Sequence, residues 1–534
     1  MNLYSTLIKD AKVVDGSGNP WYRADIGLDG ERIAAIGQLG RARADRRIDA
    51  GGLVAAPGFI DIHTHSDLPL LIEGEGHSHV RQGVTTNVLG NCGSSTAPVT
   101  DAAVEYMKAG AIDSDPGFEW DWRSMRDYLA RLERQGVSVN VAALIGQGTV
   151  RGSIMGFADR PPTAEELAQM AELVRGAMAD GAFGLSSGLI YVPGSYARTD
   201  EIVALAKVAA EYNGIYASHI RGENDTLLEA VTEAIEIGRR AGAAVQIAHF
   251  KAMGRHMWGK SVDSLRLVDE ARAAGVEVTC DQYPYNASAT GLGAYLPAWA
   301  HTGGKGELRE RLGDPDTRAK IKHDILHGLD DWVSPHKGVG WENTMITRCQ
   351  DESLEGLTVS EIAARRERDD FDTAFDILLE NDGRVGVVYF TIGDEDLERI
   401  MRHPAVMIGS DSSAIAAAGP LAKGKPHPRA FGTFARVLGE YVRKKGTISL
   451  EAAVRKMTSM PAQKMRLYDR GLLRPGMKAD LVLFSPEQIA DRATYTDPWH
   501  YPLGVEHVFV NGRLTVSGGE HLGVRAGAVL RLGR

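Results

Sequence analysis

The chain has 534 residues, of which 43% are hydrophobic, 7% aromatic and 24% charged, and this balance excludes a disordered, fibrous or disulfide-scaffold protein. Its 60 basic and 70 acidic side chains give a formal charge of −10 with no long basic run, so nucleic acid is not an expected partner. Three scattered cysteines (Cys92, Cys280 and Cys349), no apolar run of about 18 residues and no leader-like start give the expectation of a cytoplasmic protein without a membrane partner.

Residues 1–57 read as short strands at Leu7–Ile8, Lys12–Val14, Ala24–Gly27 and Arg32–Ile36, separated by Asp15-Gly, Asp29-Gly and Gly51-Gly turns. From residue 58 short apolar runs alternate with helical patterns. The strand candidates are Phe59–Ile62, Val84–Leu89, Val137–Leu144, Ala182–Leu185, Ile215–Ser218, Ala243–Ala248, Val276–Thr279 and Val406–Ile408. Among the helices, Ala164–Met178 places Leu167, Met170, Leu173, Val174 and Met178 on one face. Strand and helix repeated about eight times predict an α/β fold of the (β/α)8 barrel type, with a doubly wound sheet as the rival.

Residues 286–381 break this rhythm and read as an insertion over the active-site face. Val385–Phe390 is a ninth strand candidate, and pattern alone does not decide whether it or Val276–Thr279 takes a barrel place. Helices are expected at Phe434–Val442, Leu450–Met457 and Pro461–Leu467. From Gly476 the texture returns to β, at Leu481–Phe484 and His507–Val510. The expected organisation is a small β domain from residues 1–57 and 476–534, and a barrel over 58–475 carrying the insertion.

The segment Asp61-Ile-His-Thr-His-Ser-Asp follows the apolar run Val54–Ile60. In extended chain His63 and His65 project to one side, at the strand end where barrel enzymes place their chemistry. Cys92, His219, His249 and Asp411 stand where other strand runs stop. Taken singly, each has a bland reading as an inert thiol or a satisfied polar group. Taken together they are metal donors, and a thiolate with imidazoles favours zinc over magnesium or calcium. Hydrolysis at such a site needs a carboxylate to move protons. Asp411 is the first choice, and Asp67 reads as support for the ligands or a turn.

These residues, with Ala56-Pro-Gly-Phe-Ile-Asp-Ile-His-Thr-His-Ser-Asp, Gly90-Asn-Cys-Gly, Asp281-Gln-Tyr-Pro-Tyr, Ile408-Gly-Ser-Asp and His427-Pro-Arg-Ala-Phe-Gly-Thr-Phe, resemble the amidohydrolase superfamily. Within it the match is to the N-acyl-D-amino-acid deacylase (D-aminoacylase) family, over nearly the whole chain. The resemblance implies a tightly held zinc ion on Cys92, His219 and His249. It implies a weaker second metal position on His63, His65 and Asp411, with Asp411 as catalytic acid and base. The implied substrate is a small N-acyl-D-amino acid, cleaved to a carboxylate and a free D-amino acid.

For the substrate's α-carboxylate the candidates are Arg429, Tyr283 and Ser288, with Lys251 and Tyr191 beside the pocket. D-glutamate-specific relatives are expected to carry an arginine in the loop after Asp-Gln-Tyr-Pro-Tyr. Here that loop, residues 286–296, has none, which points to a neutral or hydrophobic side chain. The alternatives are a D-residue dipeptidase, a cyclic-amide hydrolase, a serine hydrolase built on Gly184-Leu-Ser-Ser-Gly with Ser186, and a non-catalytic scaffold. Oligomeric state is not set by the sequence.

Overall fold

The computed structural model describes residues 3–533 except 102, 105–118 and 331. Its first strand, Leu3–Val13, is one element where the sequence suggests two. The interruption is a bulge. The register with the neighbouring strand Tyr22–Asp29 shifts between Ile8 and Ala11, Asp10 takes a left-handed φ of 59°, and its N–H donates to Asp25 Oδ1 at 2.9 Å. Arg32–Gly37 follows in antiparallel pairing. Arg43–Asp49, absent from the sequence reading, pairs in parallel with the first strand; Ile48 is its one buried side chain, so no alternation marked it.

The C-terminal strand Leu481–Phe484 lies antiparallel to Val54–Pro57, and Val505–Val510, Arg513–Ser517 and Glu520–His521 extend the sheet outward. The small sheet is therefore built from both ends of the chain. Ile8, Ile26, Leu28, Ile33, Leu483 and Phe509 fill its core.

Eight barrel strands follow: Phe59–Asp61, Val84–Leu89, Asn140–Ala143, Gly184–Gly188, Ile215–His219, Ala244–Ile247, Val278–Gln282 and Val406–Ile408. Neighbours pair in parallel. The third strand breaks at Leu144 and resumes as Ile145–Gly146, which pairs with the fourth. A parallel bridge between Thr64 and Ser412 joins the extensions of the first and eighth strands. The sheet thus closes on itself as a (β/α)8 barrel, and the doubly wound alternative falls away. Outside it, helix Ala164–Asp180 opens on a reciprocal Thr163–Glu166 cap and stops at Gly181 in a left-handed conformation. Met170, Val174 and Met178 bury as the spacing predicts, with Leu167 and Leu173 partly buried beside them.

Between the seventh and eighth strands the chain makes a long excursion. Ala287–Gly291, Gly386–Phe390 and Thr344–Arg348 form an antiparallel sheet in that order, over a core containing Tyr295, Trp341, Ile346 and Phe375. The ninth strand candidate belongs to this sheet, and Val278–Gln282 takes the barrel place. Gly184-Leu-Ser-Ser-Gly is the fourth barrel strand itself. The helix expected from Phe434 begins at Arg429 and continues after Arg436 as a π-helical stretch, Val437–Lys444. Among the described residues no helix is long and apolar enough to cross a membrane.

Gly90 shows how tightly the rim is packed. Its φ is +75°, and a Cβ there would lie 2.1 Å from the Leu144 carbonyl oxygen, at the break in the third strand. Gly242 has a similar φ of +70° with nothing within 4 Å. Gly242→Ala should cost about 1–2 kcal/mol for left-handed backbone alone. Gly90→Ala should cost at least about 2 kcal/mol more, because backbone must also shift. Urea unfolding of both variants checks this; equal losses would show that the close approach is relaxed at little cost.

Candidate metal centre and active-site cavity

The candidate donors arrive from different strand ends on one rim of the barrel. His63 lies two residues beyond the first strand, Cys92 three beyond the second, and His219 is the last residue of the fifth. His249 lies two beyond the sixth and Asp411 three beyond the eighth. Cys92, His249 and Asp411 have φ of 51°, 35° and 52°, left-handed conformations uncommon outside glycine.

Their atoms converge. Cys92 Sγ is 3.3 Å from His63 Nε2 and 3.5 Å from His249 Nε2. His63 Nε2 is 3.3 Å from Asp411 Oδ1, and His249 Nε2 is 2.7 Å from His219 Nδ1. His65 Nε2 stands 3.0 Å from the same Asp411 oxygen. Nitrogen and sulfur donors held about 2.0–2.3 Å from one tetrahedral cation stand roughly 3.3–3.7 Å apart. The Cys92–His63, Cys92–His249 and His63–Asp411 separations fit that spacing and the four donor atoms all lie within 4.8 Å of one another, so the residues present suit a soft divalent cation.

The electrostatics point the same way. Burial favours the neutral Cys92 thiol, but His63 and His249 outweigh it and hold the pKa well below the ordinary value. Burial disfavours a charged His63, yet Cys92, Asp281 and Asp411 hold its pKa well above normal. Burial likewise works against the Asp411 carboxylate, and Arg429, His63 and His249 overcome it. Charges of both signs are therefore buried together.

Four carboxylates tie this cluster to the scaffold. Asp281 Oδ1 meets His63 Nδ1 at 3.1 Å and accepts the His249 N–H at 2.8 Å, while Gln246 donates to its other oxygen. Asp61 Oδ1 accepts the N–H groups of Ser410 and His63, linking the first and eighth strand ends, and burial pushes its pKa up to about 7. Glu223 holds Lys251 Nζ at 2.5 Å and lies 3.0 Å from His249 Nδ1. Asp67 accepts the Gly90 N–H at 3.1 Å, the turn-supporting place expected of it. Asp281 stood in a quoted motif and Glu223 in none. Neither was picked as a site residue, because a partner that meets a ligand's far nitrogen has no spacing rule.

Above the donors lies a cavity of about 390 Å³. Its wall includes His65, His219, His249 and Asp411, and also the substrate-side candidates Tyr191, Lys251, Tyr283, Ser288 and Arg429. Arg429 Nη1 is 2.8 Å from Asp411 Oδ2, and its guanidinium lies 4.6 Å over the Tyr283 ring. The Tyr283 hydroxyl meets Ser288 Oγ at 2.8 Å, and the Tyr191 hydroxyl meets Thr290 Oγ1 at 3.0 Å. Ser186 is not among these groups. It is buried in its strand, donates to the Gly90 carbonyl and accepts the Gly93 N–H, so it packs the rim and is no exposed nucleophile.

The sequence profile described as "Amidohydrolase family" matches residues 46–516. The N-acyl-D-glutamate deacylase of Alcaligenes xylosoxydans xylosoxydans is 39% identical over 507 residues, covering 95% of this chain and 92% of that protein. The D-aminoacylase of the same organism is 36% identical over 529 residues, covering 99% and 97%. The crystal structure of N-acyl-D-glutamate deacylase from Bordetella bronchiseptica, complexed with zinc and a phosphonate mimic of the tetrahedral intermediate, superposes with a TM-score of 0.82. It is 35% identical and covers 99% of this chain and 100% of that one. With the barrel, the composite sheet and the buried thiolate–imidazole cluster already in place, the chain belongs to the amidohydrolase superfamily, in its N-acyl-D-amino-acid deacylase (D-aminoacylase) subfamily.

Proposed function

We propose that the protein hydrolyses the amide bond of N-acyl-D-amino acids to a carboxylate and a free D-amino acid, using zinc held by Cys92, His219 and His249. His63, His65 and Asp411 would offer a second, weaker cation position. The observation that carries this reading is one juxtaposition: a thiolate–imidazole donor set and Asp411 at the floor of a cavity whose wall presents Arg429 and Tyr283.

Zinc bound there supplies polarisation of the amide carbonyl and a more acidic water. The protein's own groups do the rest. Asp411 takes the proton of the attacking water and returns it to the amide nitrogen as the C–N bond breaks. His65 Nε2 meets one Asp411 oxygen at 3.0 Å, and Arg429 Nη1 is ion-paired with the other at 2.8 Å. Arg429, beside the Tyr283–Ser288 hydroxyl pair, offers the charge-assisted hold that an α-carboxylate needs. Lys251, fixed by Glu223, adds a second cation on the same side.

The zinc-loaded enzyme should hydrolyse at least one N-acetyl-D-amino acid and leave the L-enantiomer essentially untouched. Failure on every D-substrate, or turnover of a cyclic ureide in their place, would overturn the assignment. Asp411→Asn should lower kcat by about 10²–10⁴-fold, the usual reach of positioned acid–base catalysis, while the protein still binds zinc. A variant of near-normal kcat would remove Asp411 from the proton path.

Asp281→Asn tests the scaffold behind the donors. Outer partners of ligand histidines are worth about 10–100-fold in metal affinity, and Asp281 meets the His63 ring while its same oxygen fixes the His249 backbone. Competition with a chelator should show that loss, and unchanged affinity would show that the histidines hold their places without it.

A further inference from the structure

The proposed reaction uses Arg429 from the segment His427-Pro-Arg-Ala-Phe-Gly-Thr-Phe and leaves its first residue without a task. His427 is buried on the cavity wall, and both of its ring nitrogens are engaged. Nδ1 accepts the Arg429 N–H at 3.0 Å, and Nε2–H donates to the Ala287 carbonyl at 3.0 Å. An Nδ1 that accepts is unprotonated, which fixes the tautomer. Burial and the Arg429 charge agree with this, since both push the pKa of the ring well below its ordinary value. The ring keeps no polar atom for substrate, so His427 acts through what it holds.

What it holds are the two sides of the carboxylate clamp. Arg429 opens the helix after the eighth barrel strand, and its N–H is one of the donors a helix start leaves without an intrahelical acceptor. Ala287 opens the first strand of the inserted sheet, and Ser288 follows it. Ser288 Oγ meets the Tyr283 hydroxyl at 2.8 Å, and the Tyr283 ring lies 4.6 Å beneath the Arg429 guanidinium. Contacts therefore run in a closed circuit from His427 through Arg429, Tyr283 and Ser288 to Ala287 and back. The far end of the helix is tied to the same stretch, because Arg436 Nε donates to the Pro284 carbonyl at 2.8 Å. Tyr285 and Tyr495 stand edge-on to the His427 ring, with centroids 5.2 and 5.1 Å away, and hold its plane.

We infer that His427 is the positioning residue of the α-carboxylate clamp, joining its Arg429 side to its Ser288 side across 140 residues of chain. This inference rests on the deacylase reading and names the residue that sets its demand for a carboxylate. The two arms have different consequences. The Ala287 arm places Ser288 and Tyr283, so its loss weakens binding in the ground and transition states alike. The Nδ1 arm holds Arg429, which also pairs with Asp411, so its loss disturbs the proton path as well.

The test compares His427→Asn and His427→Gln in the zinc-loaded, full-length enzyme, on the N-acetyl-D-amino acid that the unaltered enzyme turns over best. Asn Oδ1 accepts a backbone N–H two residues on, as Nδ1 does here, and falls short of Ala287; Gln reaches Ala287 and lacks the near acceptor. His427→Asn should raise KM at least about fivefold and keep kcat within about twofold, the signature of lost uniform binding. His427→Gln should also lower kcat at least about fivefold, since a small misplacement of catalytic groups is costly. Both should bind zinc as the unaltered enzyme does. The α-carboxamide of the same substrate, added as an inhibitor, should keep its Ki within about twofold in His427→Asn, because it lacks the charge that the clamp holds. Each variant tests its own arm, so misfolding of one leaves the other decisive. Unmoved KM and kcat would overturn the inference. Lost zinc, or a carboxamide Ki that rises in step with KM, would overturn it too, by making His427 a general support of the fold. Absence of turnover by the unaltered enzyme on every N-acetyl-D-amino acid would instead overturn the deacylase reading, and the clamp with it.

Discussion

A single electrostatic arrangement governs the barrel mouth: several charges are held out of water, each against a partner of opposite sign. Moving one ion into a protein interior costs several kcal/mol unless nearby groups compensate it. Here the Cys92 thiolate faces His63 and His249, and the Asp411 carboxylate is shared by His63, His65 and Arg429. Removing one member leaves a buried charge without its partner, so these residues form one unit. The same balance makes the set attractive to a divalent cation, which adds positive charge amid a thiolate and carboxylates.

The fold's task is to deliver those partners from separate parts of the chain to within 3–4 Å. A closed parallel barrel does this by ending every strand on one rim, and closure comes from the bridge between Thr64 and Ser412, each flanked by candidate donors. At that rim the Asp411 N–H donates to the His63 carbonyl at 2.8 Å, and the His65 N–H donates to the Ser412 carbonyl at 2.9 Å. Backbone pairing therefore sets the spacing of His63, His65 and Asp411 before any side chain is considered. Left-handed conformations at Cys92, His249 and Asp411 add local strain that the surrounding hydrogen bonds maintain. Cα-level rigidity of this kind is what a site built on strand ends gains over one built on free loops.

Much of this was legible in the sequence because it depends on short-range pattern. Buried parallel strands appear as apolar runs, and His63-x-His65 reports its own geometry through the two-residue period of extended chain. What stayed hidden depends on long-range contact. Arg43–Asp49 is a strand because Leu3–Val13 offers it an edge, and its mostly charged, exposed side chains give no signal of that. Ser186 sits in a strand because a run of small residues fits beneath Gly90 and Gly93, whereas the motif alone suggested a nucleophile. Asp281 and Glu223 matter through the far nitrogens of His63 and His249, which meet them only once the barrel strands have closed.

The proposed anchor of the metal centre is a buried Cys92 thiolate set among histidine residues. Zinc K-edge X-ray absorption on the loaded protein tests it most directly. The predicted spectrum contains one sulfur neighbour at about 2.3 Å together with nitrogen neighbours at about 2.0–2.1 Å, and the sulfur shell disappears in Cys92→Ser. A first shell of nitrogen and oxygen alone in the unaltered protein would remove Cys92 from the metal centre.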